Sequence, residues 1–368
     1  MKMSGRRQDL PALTSLRFFA AGVVLLNHTA LATQPDLPQF LSNWARSGYD
    51  AVTLFFVLSG FILTYVYSND DGTALNAPVS RFLMARFARI APAYYFALLI
   101  LLPAFVYSWF AAGMVSTKDF AFAAVLVPTL LQAWHPPSAL GWNAPAWSLS
   151  VEFFFYVMFP AVFRCSRRWS PLRFAVAATC LVLVSSVLQE RLAGPADSAD
   201  WHNFIAYFPL FHFAAFVFGV ALGRVYLFCP TLSERARRWL FVTSAVTVVV
   251  VLALRSELPA WVTGQAVLVP LFGTLIYGAT AALSSGLLVL LGEASYALYV
   301  LHPGVIFWWR WIAHKVLGVD IPIGLELLII FSLAVIASVA TLVLIERPLR
   351  AWTMRRAAPH FGWALRDR

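Results

Sequence analysis

In the stretch TSLRFFAAGVVLLNHTA (residues 14–30), an arginine, Arg17, and a histidine, His28, interrupt a run that otherwise reads as apolar. At 3.6 residues per turn their spacing is about three turns, so on a helix the two side chains share one face, roughly 16 Å apart along the axis. Ionisable groups within an apolar helix are costly and normally face a bundle interior or a wet cavity, where they mark a functional path. The alternative is that each side chain snorkels to its own end of the helix. Histidine is the side chain best suited to act as a general base near neutral pH.

Further polar groups recur inside apolar stretches. In RFLMARFARIAPAYY, Arg86 and Arg89 stand three residues apart, with Arg81 a little over a turn before them. They are neighbours on a helical face and suit a phosphate or pyrophosphate held bidentately, or an ordinary cluster of charge meeting lipid headgroups. NAPAWSLSVEFFFYVMFP carries Asn143, Trp147, Ser148 and, one turn into an apolar helix, Glu152. A carboxylate there is either a paired structural charge or an acid/base tuned by burial. Trp142 and Trp147 fit an aromatic belt at the outer interface better than a substrate platform. Pro145 fits a helix start. In GEASYALYVLHPGVI, Ser295, Tyr299 and His302 fall along one helical side, and Pro303 is placed to kink the helix after the histidine. His212, with apolar neighbours, reads as a hydrogen-bonded core residue.

These groups need elements to hold them, and composition says which. With 61% hydrophobic side chains, 12% charged residues and a mean hydropathy of +0.75, the chain is too apolar for a soluble globular domain. Segments near 12–32, 50–67, 90–112, 147–163, 174–190, 204–223, 239–255, 261–282, 294–314 and 324–345 each approach the ~20 apolar residues of a spanning helix. The expected fold is therefore all-α: about ten transmembrane helices in one bundle. No linker or repeat divides residues 1–368, so a single membrane domain is expected, with a core of about 10–350 and a basic cytoplasmic tail at 351–368.

The net charge of +10 raises the question of nucleic acid. With the N-terminus placed in the cytoplasm, however, 20 Lys and Arg fall on the inside, five outside and two within spans. Basicity of this kind sets orientation, with both termini cytoplasmic, and implies no nucleic-acid partner. DFAFAAVLVPTLLQAW (119–134) is apolar enough to be an eleventh span, but counting it would carry RCSRRWSPLR to the outside. It is therefore read as short, re-entrant or interfacial. Cys165, Cys180 and Cys229 lack metal or redox spacing and read as reduced and structural. The first apolar run also fits a cleavable signal peptide, whose removal would take Arg17 and His28 with it.

Arg17 and His28 in the first span, FFVLSGFIL at 55–63, RFARIAPAYY at 86–95, WSLSVEFFFYVMFP at 147–160 and SYALYVLH at 295–302 together resemble the acyltransferase-3 family of integral membrane acyltransferases, in order and as far as ERPLR at 346–350. The resemblance implies retention of the first helix and O-acetyl transfer, usually from acetyl-CoA at the cytoplasmic face of a bacterial inner membrane to a sugar hydroxyl at the outer face, without a metal. It makes His28, Arg17 and Glu152 the catalytic candidates and Arg86 and Arg89 the donor-binding pair. Trp147, Ser148, Tyr299 and His302 become candidates for lining the acceptor. Relatives often have two acids in the WSLSVE stretch where VEFFFY here has only Glu152. The residues after ERPLR are too few for the extra hydrolase-like domain that some relatives carry.

The implied partners are a carbohydrate acceptor, free or lipid-linked, membrane lipid and polysaccharide assembly proteins. The acceptor is expected to be an exopolysaccharide or lipopolysaccharide sugar, with a macrolide-type small molecule as the alternative. Whether His28 acts as base or carries the acyl group stays open. Two other readings are a secondary transporter, with Arg17, His28, Glu152, His302 and Arg310 as a proton path, and a non-catalytic scaffold.

Overall fold

The computed structural model describes residues 10–29, 34, 37–193, 198–279 and 285–361. Its first helices are α1 (Pro11–Asn27), α2 (Gln39–Ala45), α3 (Gly48–Tyr67), α4 (Val79–Phe110) and α5 (Thr117–Leu126). There follow α6 (Trp147–Ser166), α7 (Pro171–Ala193), α8 (Ala199–Tyr207), α9 (Pro209–Phe228) and α10 (Glu234–Ala253). The last are α11 (Ala260–Thr263), α12 (Gln265–Gly278), α13 (Gly286–Trp311), α14 (Ile323–Thr341) and α15 (Arg347–His360). Outside the helices, the described residues contain one isolated antiparallel bridge, Ser68 with Leu75, in the turn between α3 and α4.

The chain is thus an all-α polytopic membrane protein. Among the described residues, nine helices are long and apolar enough to cross a membrane, and α1 is a tenth, shorter apolar helix of 17 residues. These ten match the ten expected segments in order. The segment at 119–134 does not cross: its helix, α5, has 10 residues and is followed by turns and a short 3₁₀ helix at Gln132–Trp134. Two residues with left-handed backbone, Leu130 and Trp142, lie in the irregular stretch between α5 and α6. A 3₁₀ turn at Ala144–Ala146 leads into α6, with Pro145 where a helix start was expected.

Three elements differ from expectation. Helix α4 has 32 residues and begins eleven residues before the apolar run, so it is about 48 Å long and carries Arg81, Arg86 and Arg89 on its own first turns. The buried Phe82, packed on Tyr67 and Phe159, extends the helix where hydropathy alone would not. The span expected at 204–223 is broken at Phe208, because Pro209 forces the residue before it into extended backbone. Residues 347–360, most of which were expected as a tail, form α15. A π-helical turn at Leu342–Glu346 joins it to α14.

Packing fixes the helices that bear the polar residues. Helix α1 lies against α3 and α13. A Cβ on Gly292 would fall well inside contact distance of the Thr14 carbonyl, so α1 and α13 approach backbone to backbone. Gly60 on α3 and Gly219 on α9 allow the same approach, as small residues do at helix interfaces in lipid. Ala21 and Leu25 of α1, Leu298 and Ile306 of α13, and Ile330 and Ala334 of α14 form one buried apolar cluster, while the main core runs through α3, α4, α6, α9 and α13. Helix α13 continues through Pro303 as far as Trp311.

Candidate active site

The candidate residues form two layers at opposite ends of α1. At its C-terminal end, His28 caps the helix: its backbone N–H donates to the Val24 and Leu25 carbonyls, leaving the side chain exposed. Its ring lies 5.1 Å from that of His302, centroid to centroid, at an interplanar angle of 42°. His302, fully buried on α13, has Nδ1 3.3 Å from the Leu298 carbonyl oxygen. A carbonyl only accepts, so Nδ1 carries the proton and Nε2 presents a lone pair. Nε2 is buried and has no hydrogen-bond partner.

One turn earlier on α13, the Tyr299 hydroxyl lies 2.6 Å from Ser148 Oγ, and both hydroxyls are within hydrogen-bond distance of the Pro145 carbonyl. Asn143 donates from Nδ2 to the Val300 carbonyl at 3.0 Å, and its Oδ1 is buried without a partner. Ser295 donates to Gly292 within its own helix and contributes nothing to this layer.

The other layer is built on arginine. Arg17 on α1, Arg86 on α4 and Arg350 on α15 lie close enough to Arg89 for their charges to act on it. Arg89 is ion-paired with the buried Glu346 of the π turn, and its guanidinium lies over the Tyr296 ring at 5.7 Å. Arg86 instead donates to the Tyr67 hydroxyl at 3.0 Å and stacks on that ring. The two arginines expected to form one fork are thus held by different partners. Residues three apart on a helix differ by about 60° in direction, enough to aim one at α3 and α6 and the other at α13 and α15.

Glu152 stands between the layers. It accepts from Tyr156 at 2.5 Å and from Ser59 at 3.3 Å, and its charge acts on Arg86, Tyr296 and Tyr299.

Trp147 belongs elsewhere. It is only 6% exposed and packs against Tyr49, Phe56, Tyr207 and His212, so it is not part of an outward-facing belt. Trp142 stacks on Phe105, and its Nε1 donates to Leu98. His212 is a core residue, as expected, with Nε2 2.9 Å from the Ala206 carbonyl. Arg310 pairs with Glu326 on α14 and joins neither layer. The cysteines are free. Among the described residues no group of three or more His, Cys, Asp or Glu is placed to hold a metal.

Sequence reading missed Glu346, Tyr67, Tyr156 and Tyr296. Glu346 had a visible signal, being the first charge after a long apolar run, but nothing in the sequence paired it with Arg89.

The described helices thus form a bundle with a basic layer toward one end of α1 and an exposed imidazole at the other. The chain matches the family model described as an acyltransferase domain over residues 10–347, nearly its whole length, and belongs to that acyltransferase-3 family. It is an enzyme of acyl transfer. It is 28% identical to Acyltransferase MdmB of Streptomyces mycarofaciens, over 86% of this chain and 83% of the relative. To Peptidoglycan O-acetyltransferase OatA of Listeria monocytogenes it is 25% identical, over 44% of this chain and 25% of the relative. To Protein 2 in picA locus of Rhizobium radiobacter it is 33% identical, over 42% of this chain and 83% of the relative. No solved structure matches the chain.

Proposed function

We propose that the protein moves an acetyl group from acetyl-CoA, reaching the arginine layer from the cytoplasm, to a hydroxyl of a surface carbohydrate arriving at the His28 end. The observation that carries this reading is the distance between the layers, roughly 16 Å along α1 from Arg17 to His28. A long thin thioester arm spans that distance, with its anionic end among Arg17, Arg86 and Arg89. The positive-inside distribution of charge supports a cytoplasmic position for the arginine end in a bacterial inner membrane.

In the reaction, His28 takes the acceptor hydroxyl's proton as the oxygen attacks the thioester carbonyl. The C–O bond forms, the C–S bond breaks, and the proton passes to the departing sulfur. Because Glu346 already occupies Arg89, donor phosphate must share or displace that carboxylate. Ser148 and Tyr299 form the wall beside the histidines, and Glu152 lies on the route between the layers.

A small-molecule glycoside is the second reading for the acceptor. The peptidoglycan relative is matched over only a quarter of its length, so that match does not single out a polymeric acceptor.

Inverted membrane vesicles given labelled acetyl-CoA test the proposal. Label is expected to enter membrane glycan with the native protein, to be lost with His28→Ala, and to require much more donor when Arg86 and Arg89 are both alanine. Native-level transfer by His28→Ala would refute the assigned chemistry. Acetylation of an added glycoside but not of membrane glycan would select the second acceptor.

A further inference from the structure

His28 and His302 face each other with opposite exposures. His28 is open at the end of its helix, whereas His302 is fully buried and cannot touch an acceptor unless the bundle opens. Yet the unused nitrogen of His302 is the buried one: Nδ1 is committed to Leu298, while Nε2 is buried with no partner. Leaving a buried acceptor unsatisfied is unfavourable, so such a group is expected to find a partner in some working state.

The surroundings narrow the choice of partner. The α14 residues packed near this part of α13 are Ile330 and Ala334, and from α3 Phe55 meets Tyr299 edge to face. Tyr299 and Ser148 are bonded to each other and directed at Pro145, and Asn143 donates to a backbone carbonyl. The polar side chain whose ring meets that of His302 from a neighbouring helix is His28. Their centroid separation of 5.1 Å is about the span of two imidazoles joined by one N–H···N bond of about 2.9 Å. They share no hydrogen bond in this arrangement, and a bond between them would require rotation of the exposed ring.

We propose that His302 is the positioning residue of His28, accepting one imidazole N–H at its buried Nε2 and so presenting the other His28 nitrogen, as a lone pair, to the acceptor hydroxyl. A general base oriented by a third group is the usual arrangement for activating a hydroxyl, and among the described residues no carboxylate is bonded to either histidine. When His28 takes the hydroxyl proton, its bond to His302 becomes charge-assisted and strengthens while the tetrahedral intermediate forms. The proton then leaves with the thiol sulfur, and both rings return to neutral. His302 touches neither substrate. This inference rests on the acyl-transfer role given to His28 above.

Two polar substitutions separate positioning from mere packing. Glutamine places its amide near the position of Nε2, and asparagine near that of Nδ1. The native protein, His28→Ala, His302→Gln and His302→Asn are compared at matched expression in inverted vesicles, with labelled acetyl-CoA as the varied substrate. The expected result is that His302→Asn lowers the maximal rate by on the order of 10²-fold at unchanged KM for acetyl-CoA, while His302→Gln keeps at least about a tenth of the native rate. Equal losses in the two variants, or a loss expressed in KM, would show that the residue only fills space. Native-level transfer by His302→Asn would also overturn the proposal. If His28→Ala itself transfers normally, the underlying role of His28 fails as well, and that outcome is distinguishable from a failure confined to His302.

Discussion

The two ends of α1 solve opposite problems. At the arginine end two of the charges are answered within the protein, Arg89 by Glu346 and the Tyr296 ring and Arg86 by Tyr67, while Arg17 keeps a buried Nε with no partner; Glu152, between the ends, is held by Tyr156 and Ser59. At the histidine end, the exposed His28 has no side-chain hydrogen bond, and the buried His302 keeps a free nitrogen. The first end is stable without ligand and must exchange partners to bind one. The second is incomplete until a substrate or a rotated ring arrives. Catalytic sensitivity should therefore concentrate at one end and structural sensitivity at the other.

The sharpest break in that comparison would come from His28→Ala. Transfer should fall by roughly 10²–10⁴-fold with the thermal unfolding midpoint in detergent unchanged, and a comparable loss of stability would blur the two ends. Arg89→Ala should behave in the opposite sense. It leaves the buried Glu346 carboxylate unanswered, so unfolding should be easier by about 3 kcal/mol, alongside weaker donor use. A stability change under about 1 kcal/mol would mean that the pair is not sequestered as described.

Smaller effects refine the picture. Tyr299→Phe removes the hydroxyl shared with Ser148 and Pro145 and should cost about 1 kcal/mol of stability with a modest change in rate. A loss of rate as large as that of His28→Ala would instead put the hydroxyl in contact with the reacting groups. Arg238→Ala, which breaks the exposed pair with Glu234 on α10, should leave stability within about 0.5 kcal/mol and transfer intact. It serves as the baseline for the other three.

The fold was largely legible because spanning helices are written in runs of apolar residues. Hydropathy found the ten segments and the charge count kept 119–134 out of them. It failed where tertiary packing sets a boundary, as when Phe82 extends α4 back to Val79. The placement of Trp147 failed for a related reason: composition marks a tryptophan as amphipathic, but only the neighbours Tyr49, Tyr207 and His212 decide that it is interior.

Within the candidate site, the spacing of Arg17 and His28 on one helix was readable because it is local geometry. The pairing of Arg89 with Glu346 was not, since it joins helices far apart in the chain. The meeting of His28 with His302 depends likewise on the close approach of α1 and α13 at Gly292, which periodicity does not encode.

The π turn at Leu342–Glu346 fits one more residue into its turn than an α-helix would, so everything after it lags in phase by about 100° relative to an uninterrupted helix. The segment is therefore sensitive to length rather than to identity. Removing the extra residue would let the turn relax to α-helix with Glu346 and Arg350 kept on the Arg89 side, whereas inserting a further residue would swing both away. An apolar substitution at the exposed Leu344 would leave both in place. Natural variation in this stretch should accordingly admit many apolar replacements and loss of the one extra residue, and almost no insertions.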